Sequence, residues 1–150
     1  MKLNPDCVRD VLLYLESNLN YIDRADCILE HNEITFNTIA ESLSQEHGYD
    51  KDSINYSIEK LLEVGFITSN TLSRGRNNSI IYAPISDITW NGHQFLNNIR
   101  QQNIWDATKA GAKKIGATSI SALSMIAMEI IKAIVTKPEV INNIINGFHF

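Results

Sequence analysis

The sequence predicts a mainly α-helical fold with a small β-hairpin, a winged helix-turn-helix followed by a C-terminal helical extension. Three observations predict it. Between Ile34 and Tyr82, two short apolar-striped helices flank a tight polar turn, and a hairpin with a basic tip follows. A capped helix precedes this stretch, opening at Asn4-Pro5. Beyond the hairpin, helical patterns alone continue towards the end of the chain. The 150 residues suit one domain or a small domain with an extension, divided here as 1–102 and 103–150.

Asn4 is a good N-cap, Pro5 loses nothing at the first helical position, and Leu3 can staple onto Val8. Val8, Val11, Leu12 and Leu15 form the stripe of this first helix, which ends near Asn18. Tyr21 to Asn32 reads as a polar loop with room for a short strand at Ile28-Leu29. Glu33-Ile34 reads as another short strand, of the kind that completes the small sheet with the hairpin of a winged helix. The second helix runs from Phe36 to about Ser44, started by Thr35, and Gln45-Glu46-His47-Gly48 is the turn. Asp50 caps the third helix, with Tyr49 and Ile54 as its staple. Ile54, Ile58, Leu61 and Leu62 lie at i, i+4, i+7 and i+8, so they share one face. Gly65 supplies a left-handed stop, and Phe66-Ile67 turn into a strand. Leu72 and Ile80-Ile81-Tyr82 flank the polar loop Ser73 to Ser79.

Ala83-Pro84 breaks the hairpin strand. A fourth helix opens at Ile88-Thr89-Trp90 with Thr89 as cap, and Trp90, Phe95, Leu96 and Ile99 form its apolar face. It continues, with a break near Asn103, through Trp105 to Lys114, where Lys109, Lys113 and Lys114 suit a helix C-terminus. After Gly116-Ala117-Thr118, Thr118 or Ser119 caps a long helix reaching Val135, roughly 25 Å long. Thr136-Lys137-Pro138 ends it and starts a last short helix with Val140, Ile141, Ile144 and Ile145, and Gly147 to Phe150 close the chain.

Composition is that of an ordinary globular protein, 44% apolar and 20% charged. No apolar signal core follows Met1, which predicts that the chain is not exported. Two cysteines, Cys7 and Cys27, make no disulfide framework and read as reduced thiols of a cytoplasmic protein. Charge is divided unevenly. Residues 1–68 hold 5 Lys/Arg against 13 Asp/Glu, while residues 69–150 hold 8 against 4. A generic nucleic-acid binder has a basic face, and here the helix-turn-helix half is acidic.

Candidate contacts to double-stranded DNA are Lys51, Asn55, Tyr56 and Lys60 on the third helix, with Arg74, Arg76 and Asn77 on the wing. Asn55 could read adenine, Lys60 a phosphate, and the two arginines a phosphate or a minor groove. Asp50, Asp52, Glu59 and Glu63 stand among the helical candidates, which equally suits a solvated mixed-charge face or a protein-binding one. On the long helix, Ile120, Leu123, Ile126, Ala127, Ile130 and Ile134 form a stripe that either joins two copies into a homodimer or packs within the chain. The uncharged run is too short to span a membrane. Cys27 and His31 are spaced i, i+4, but no CxxC or HxxxH pair accompanies them, so neither a metal site nor a cofactor is expected. No phosphate-binding glycine loop, nucleophile elbow or distinctive carboxylate pair is present, and an enzyme is not expected.

The opening Met1-Lys2-Leu3-Asn4-Pro5-Asp6-Cys7-Val8-Arg9-Asp10 and the segment from Ile88-Thr89-Trp90-Asn91-Gly92-His93 through Phe95-Leu96 to Ile99-Arg100, with Trp105 beyond, resemble an uncharacterised phage and prophage family. That family has an MKLNPDC-type start and an LT-x-x-GH-x-FL-x-x-IR segment, and is a domain of unknown function. The resemblance implies a bacterial or phage origin, a cytoplasmic location and a winged-helix core, and it brings no catalytic residues. Two roles follow: a DNA-binding, transcription-regulator-like protein, or a module whose acidic face binds a host or phage protein. Gly92 within a helix suggests close approach of another backbone segment, with His93 hydrogen-bonding there.

Overall fold

The structure, a computed structural model, describes residues 1–23, 25 and 29–146, the side chains of residues 140, 141, 144 and 145 excepted. The described chain is mainly helical with small antiparallel β elements. Its order is α1 (Pro5–Asn18), α2 (Phe36–His47), α3 (Lys51–Glu63), β1 (Ile67–Thr68), β2 (Ser73–Arg74), β3 (Ile80–Tyr82), β4 (Asp87–Ile88), α4 (Trp90–Ile99), α5 (Gln102–Ile115), α6 (Ile120–Val135) and α7 (Pro138–Asn146). It forms two compact units, Met1–Leu96 and Asn97–Phe150, where the sequence pattern places a division after residue 102.

In the first unit α1, α2 and α3 pack on one another. The Asn4 side chain accepts from the amides of Asp6 and Cys7, and Val8, Val11, Leu12 and Leu15 are fully buried. Thr35 caps α2 by accepting from Thr38 N, and Asp50 caps α3 by accepting from Ser53 N at 2.7 Å. That bond holds the Asp50 carboxyl below the usual carboxylate range. α2 extends three residues beyond Ser44, so Gln45, Glu46 and His47 are helical. Polarity does not end a helix, and Gln and Glu are good helix formers. Gly48, with φ +74°, is what ends it.

The small strands differ from the expected arrangement. Ile34 exchanges two backbone bonds with Ile85, at 2.9 and 2.7 Å, while β1 pairs with β4 in the register Ile67↔Ile88 and Thr68↔Asp87. Residues 85–88 therefore sit between Ile34 and β1, and Ile34 does not pair with the hairpin. Pro84 ends one strand, but the chain resumes an extended path at once. Buried Ser86 fastens the junction, accepting from Asn70 N at 2.9 Å and donating to Glu33 Oε1 at 3.0 Å. The hairpin is separate: β2 pairs with β3 in the register Ser73↔Tyr82 and Arg74↔Ile80, with a bulge between. Ser73 and Arg74 belong to the strand, and the loop shrinks to Gly75–Ser79. At its tip Asn77 and Asn78 have φ of 59° and 61°, with Ser79 N bonding Arg76 O. Two consecutive positive φ angles characterise the primed turns that match strand twist, and asparagine tolerates them.

The Tyr21–Asn32 loop is closed at its base by asparagines. Asn20 N donates to Asn32 Oδ1 and Asn32 Nδ2 donates to Asn18 O. Tyr21 and His31 form a bridge and Ile22 N bonds Glu30 O at 2.7 Å, and the strand expected at Ile28-Leu29 falls partly outside the described residues.

The entry to α4 accounts for the Thr89–Ile99 segment. Thr89 Oγ1 donates to Gly65 O at 2.6 Å and accepts from Gly92 N at 3.1 Å, while Thr89 N bonds Phe66 O. A Cβ on Gly92 would lie 2.1 Å from Phe66 O, so only glycine lets the α3–β1 corner seat against this helix. Phe95 packs its ring 5.3 Å from that of Phe66, and Phe95, Leu96 and Ile99 are buried. His93 does not bond there; its side chain is exposed. Trp90 is also no part of the apolar face, being 76% exposed. Five residues separate it from Phe95, which turns it about 140° away around the helix.

In the second unit the break before α5 falls at Arg100-Gln101, earlier than Asn103. Ile104, Trp105, Thr108 and Ala112 are its buried residues, and Lys109 Nζ lies 5.6 Å from the centre of the Trp105 ring. Gly116, at φ +70°, ends α5, and Ser119 caps α6 by accepting from Ala122 N at 3.1 Å. α5 and α6 pack along one another, with Gly111 facing Ile126, and α7 packs on α6. The stripe expected on α7, Val140, Ile141, Ile144 and Ile145, and the closing residues Gly147 to Phe150 lie outside what is described.

Candidate functional site

The outer face of α3 carries the first group of predicted contacts. Lys51 is exposed at its first turn. Asn55 is half-buried, and its Oδ1 is covered and has no hydrogen-bond partner. Reading adenine takes both the carbonyl and the amino group of an asparagine at the surface, and here the carbonyl is turned in. Lys60 Nζ lies 2.6 Å from Glu63 Oε2 and 5.3 Å from the centre of the Tyr56 ring. The bond to Glu63 raises the Lys60 ammonium above its ordinary range. Lys60 is therefore a matched charge resting on an aromatic face, and Tyr56 is its platform.

The hairpin carries the second group. Arg74 Nη1 donates to Asn78 O at 2.9 Å, tying the strand to the loop. Asn77 occupies the left-handed turn position. Arg76 is exposed at the tip. Of the seven residues, Lys51 and Arg76 are the cations whose side chains have no partner among the described residues.

Between α3 and the hairpin lie two cavities of about 540 and 550 Å³. The first is lined by Leu62, Glu63, Ser69, Leu72 and Arg74, the second by Phe36, Asn37, Asn55, Ile81 and Tyr82, and Glu59, Asn78 and Ile80 line both. Together they make a groove along the two elements. The structure thus brings Asn55, Glu59 and Arg74 to one groove, and it adds Ser69, Asn78 and Tyr82, which sequence reasoning did not choose. Glu59 stands on the exposed face of α3 and was legible there as a charge unfavourable to DNA. Leu72, Ile81 and Tyr82 are apolar and exposed on the hairpin. Ile80-Ile81-Tyr82 is an unbroken apolar run, so no alternation marks which of its side chains is exposed.

A second polar group ties α1 to the α2–α3 turn. Tyr49 donates to Asp10 Oδ2 at 2.6 Å, with the His47 ring 5.7 Å from that of Tyr49 and its Nδ1 3.9 Å from the same carboxylate. Partial burial and the Asp10 bond push the Tyr49 phenol well above its usual range. Cys7 is buried beside this group, and burial pushes its thiol up, the opposite of what a nucleophile requires. Among the described residues no three His, Cys, Asp or Glu side chains are placed to hold a metal ion. The Cys27–His31 relation lies outside them.

On α6 the predicted oligomer stripe divides. Ile120, Leu123 and Ala127 are covered by the chain itself, whereas Ile126, Ile130 and Ile134 are half-exposed. The exposed large apolar side chains of α6 are Met125, Met128 and Val135. No described helix is long and apolar enough to cross a membrane.

Residues 2–119 match the model of a family described as "Hypothetical protein (DUF2513)". An uncharacterized protein of Haemophilus influenzae is 26% identical over 113 residues, 75% of this chain and 80% of that protein. No solved structure matches the chain.

Proposed function

We propose that this chain, which belongs to the DUF2513 family, is a non-enzymatic winged-helix protein of bacterial or phage origin that docks a partner protein along its α3–hairpin groove. One observation carries the reading: two of the four cations that would meet a duplex, Lys60 and Arg74, are already engaged. Lys60 is paired with Glu63 and Arg74 with Asn78 O, while Glu59 lines the groove with no ion pair among the described residues. Duplex binding draws on several cations free to displace counterions. A protein partner needs apolar contact edged by hydrogen-bonding groups, which Leu72, Ile81, Tyr82, Asn55 and Asn78 supply. The order of three helices and a hairpin supports the winged-helix assignment. The MKLNPDC-type start and the bacterial relative support the origin, and a cytoplasmic setting belongs to the same reading.

Lys51 and Arg76 favour a second reading, that of a transcription regulator touching DNA through the first turn of α3 and the wing tip. A photocrosslinking amino acid at Tyr82, in a bacterial host expressing the whole chain, separates the two. The docking reading expects a discrete protein adduct that Glu59→Lys abolishes. Adducts to nucleic acid alone, or a protein adduct indifferent to Glu59→Lys, would overturn it.

A further inference from the structure

We infer that the segment received by the groove is extended and carries Arg or Lys side chains, with Glu59 as their anchor; this rests on the groove being a protein-docking site. Glu59 lines both cavities and makes no ion pair among the described residues; its carboxylate is exposed and feels the Lys60 ammonium only at a distance, since Lys60 is bonded to Glu63. Two oxygens near it lack hydrogen-bond donors. Asn55 lines one cavity and Ser69 the other, and Asn55 Oδ1 and Ser69 Oγ are each covered and unpartnered. An unmet buried acceptor is unfavourable, and N–H groups of a ligand relieve it. The terminal torsion of Asn55 is soft, so its amide can turn to meet a donor in the groove.

On the α3 wall the acidic side chains Asp52, Glu59 and Glu63 outnumber Lys51 and Lys60, and Lys60 is taken up by Glu63. The cation in the lining, Arg74, is held on Asn78 O at the hairpin side, which leaves the α3 side to the partner's cation. Because the two cavities meet at Glu59, Asn78 and Ile80, an occupant of both must pass along that ridge. An extended chain does so, with alternate side chains reaching Ile80 and Tyr82 on one side and Glu59 on the other.

The test is a titration of the full ¹⁵N-labelled chain with three peptides of about ten residues. One alternates Arg and Val, one has Glu for Arg, and one has Asn for Arg; a short mixed-sequence DNA duplex is a fourth probe. The Arg peptide is expected to shift the Asn55 side-chain amide and the backbone amides of Glu59, Ser69 and Ile80. Glu59→Gln should weaken it about tenfold or more, while Glu41→Gln, exposed on α2 and outside the groove, leaves the affinity unchanged. The inference is overturned if the Arg peptide leaves those signals unmoved, if the Glu or Asn peptide binds there as well as the Arg peptide, or if Glu59→Gln has no effect. Binding of the Asn peptide alone would leave the docking reading standing and remove only the charge. Duplex DNA moving the same signals would remove the docking reading itself.

Discussion

Gly92, Thr89 and Phe66 divide the work of joining α3 to α4, and each makes a separate claim at the level of the residue. Gly92→Ala forces a methyl into the Phe66 carbonyl, 2.1 Å away, and should cost about 3 kcal/mol, lowering Tm by 10 °C or more, about the scale for a unit of this size. Gly48→Ala meets no atom within 4 Å, so its cost is that of a left-handed alanine alone, about 1 kcal/mol. Thermal melts that rank the two the other way would contradict this account of the corner. His93→Ala should lie within about 0.5 kcal/mol of the parent, as for an exposed position without partners. Tyr49 adds a pH dependence. Its phenol is raised in the folded chain, so the neutral form is favoured by folding. That contribution is complete below about pH 10, the unfolded value, and is lost as pH rises above it towards the folded value. Alkaline unfolding should therefore be steeper in the parent than in Tyr49→Phe, as denaturant curves at several pH values will show. That Gly92 needed a close neighbour was legible, since a glycine inside a helix demands a reason. Its neighbour was not, because Phe66 is distant in sequence and only the fold brings its carbonyl there.

At the scale of elements, caps and stops carried the most information. Asn4, Thr35, Asp50, Thr89 and Ser119 begin their helices where short polar side chains precede apolar stripes, and Gly116 ends α5 at the expected break, whereas Gly48 ends α2 three residues beyond the end expected at Ser44. What could not be read was which extended segment pairs with which. Residues 85–88 look like a linker after Pro84, and they become a strand only because Ile34 and β1 lie on either side. Trp90 shows the same limit from the other direction, since hydrophobicity put it on the buried face and helical geometry puts it outside. On α6, Leu123 is fully buried, so Leu123→Ala should destabilise the chain by about 2–4 kcal/mol through the cavity left behind. Light scattering should then give the same mass for this variant as for the parent. A lower mass with unchanged stability would instead place Leu123 between copies.

For the whole molecule, the division of charge and the engagement of Lys60 and Arg74 point the same way. The outer face of α3 and the hairpin border a groove whose arginine, Arg74, is held on Asn78 O and whose Glu59 makes no ion pair among the described residues, while Lys60 beside it is paired with Glu63. The groove residues came from the sequence only in part, because Asn55 and Arg74 were chosen for DNA chemistry, and side-chain pairing, invisible in sequence, changes what they can meet. The most direct measurement is fluorescence anisotropy of a labelled mixed-sequence duplex titrated with the full chain between about 50 and 200 mM salt. The account predicts no saturable binding at micromolar protein even at the lowest salt, and no change on Arg74→Ala with Arg76→Ala. Saturable binding that weakens steeply with salt, and whose salt dependence flattens in that double variant, would contradict it.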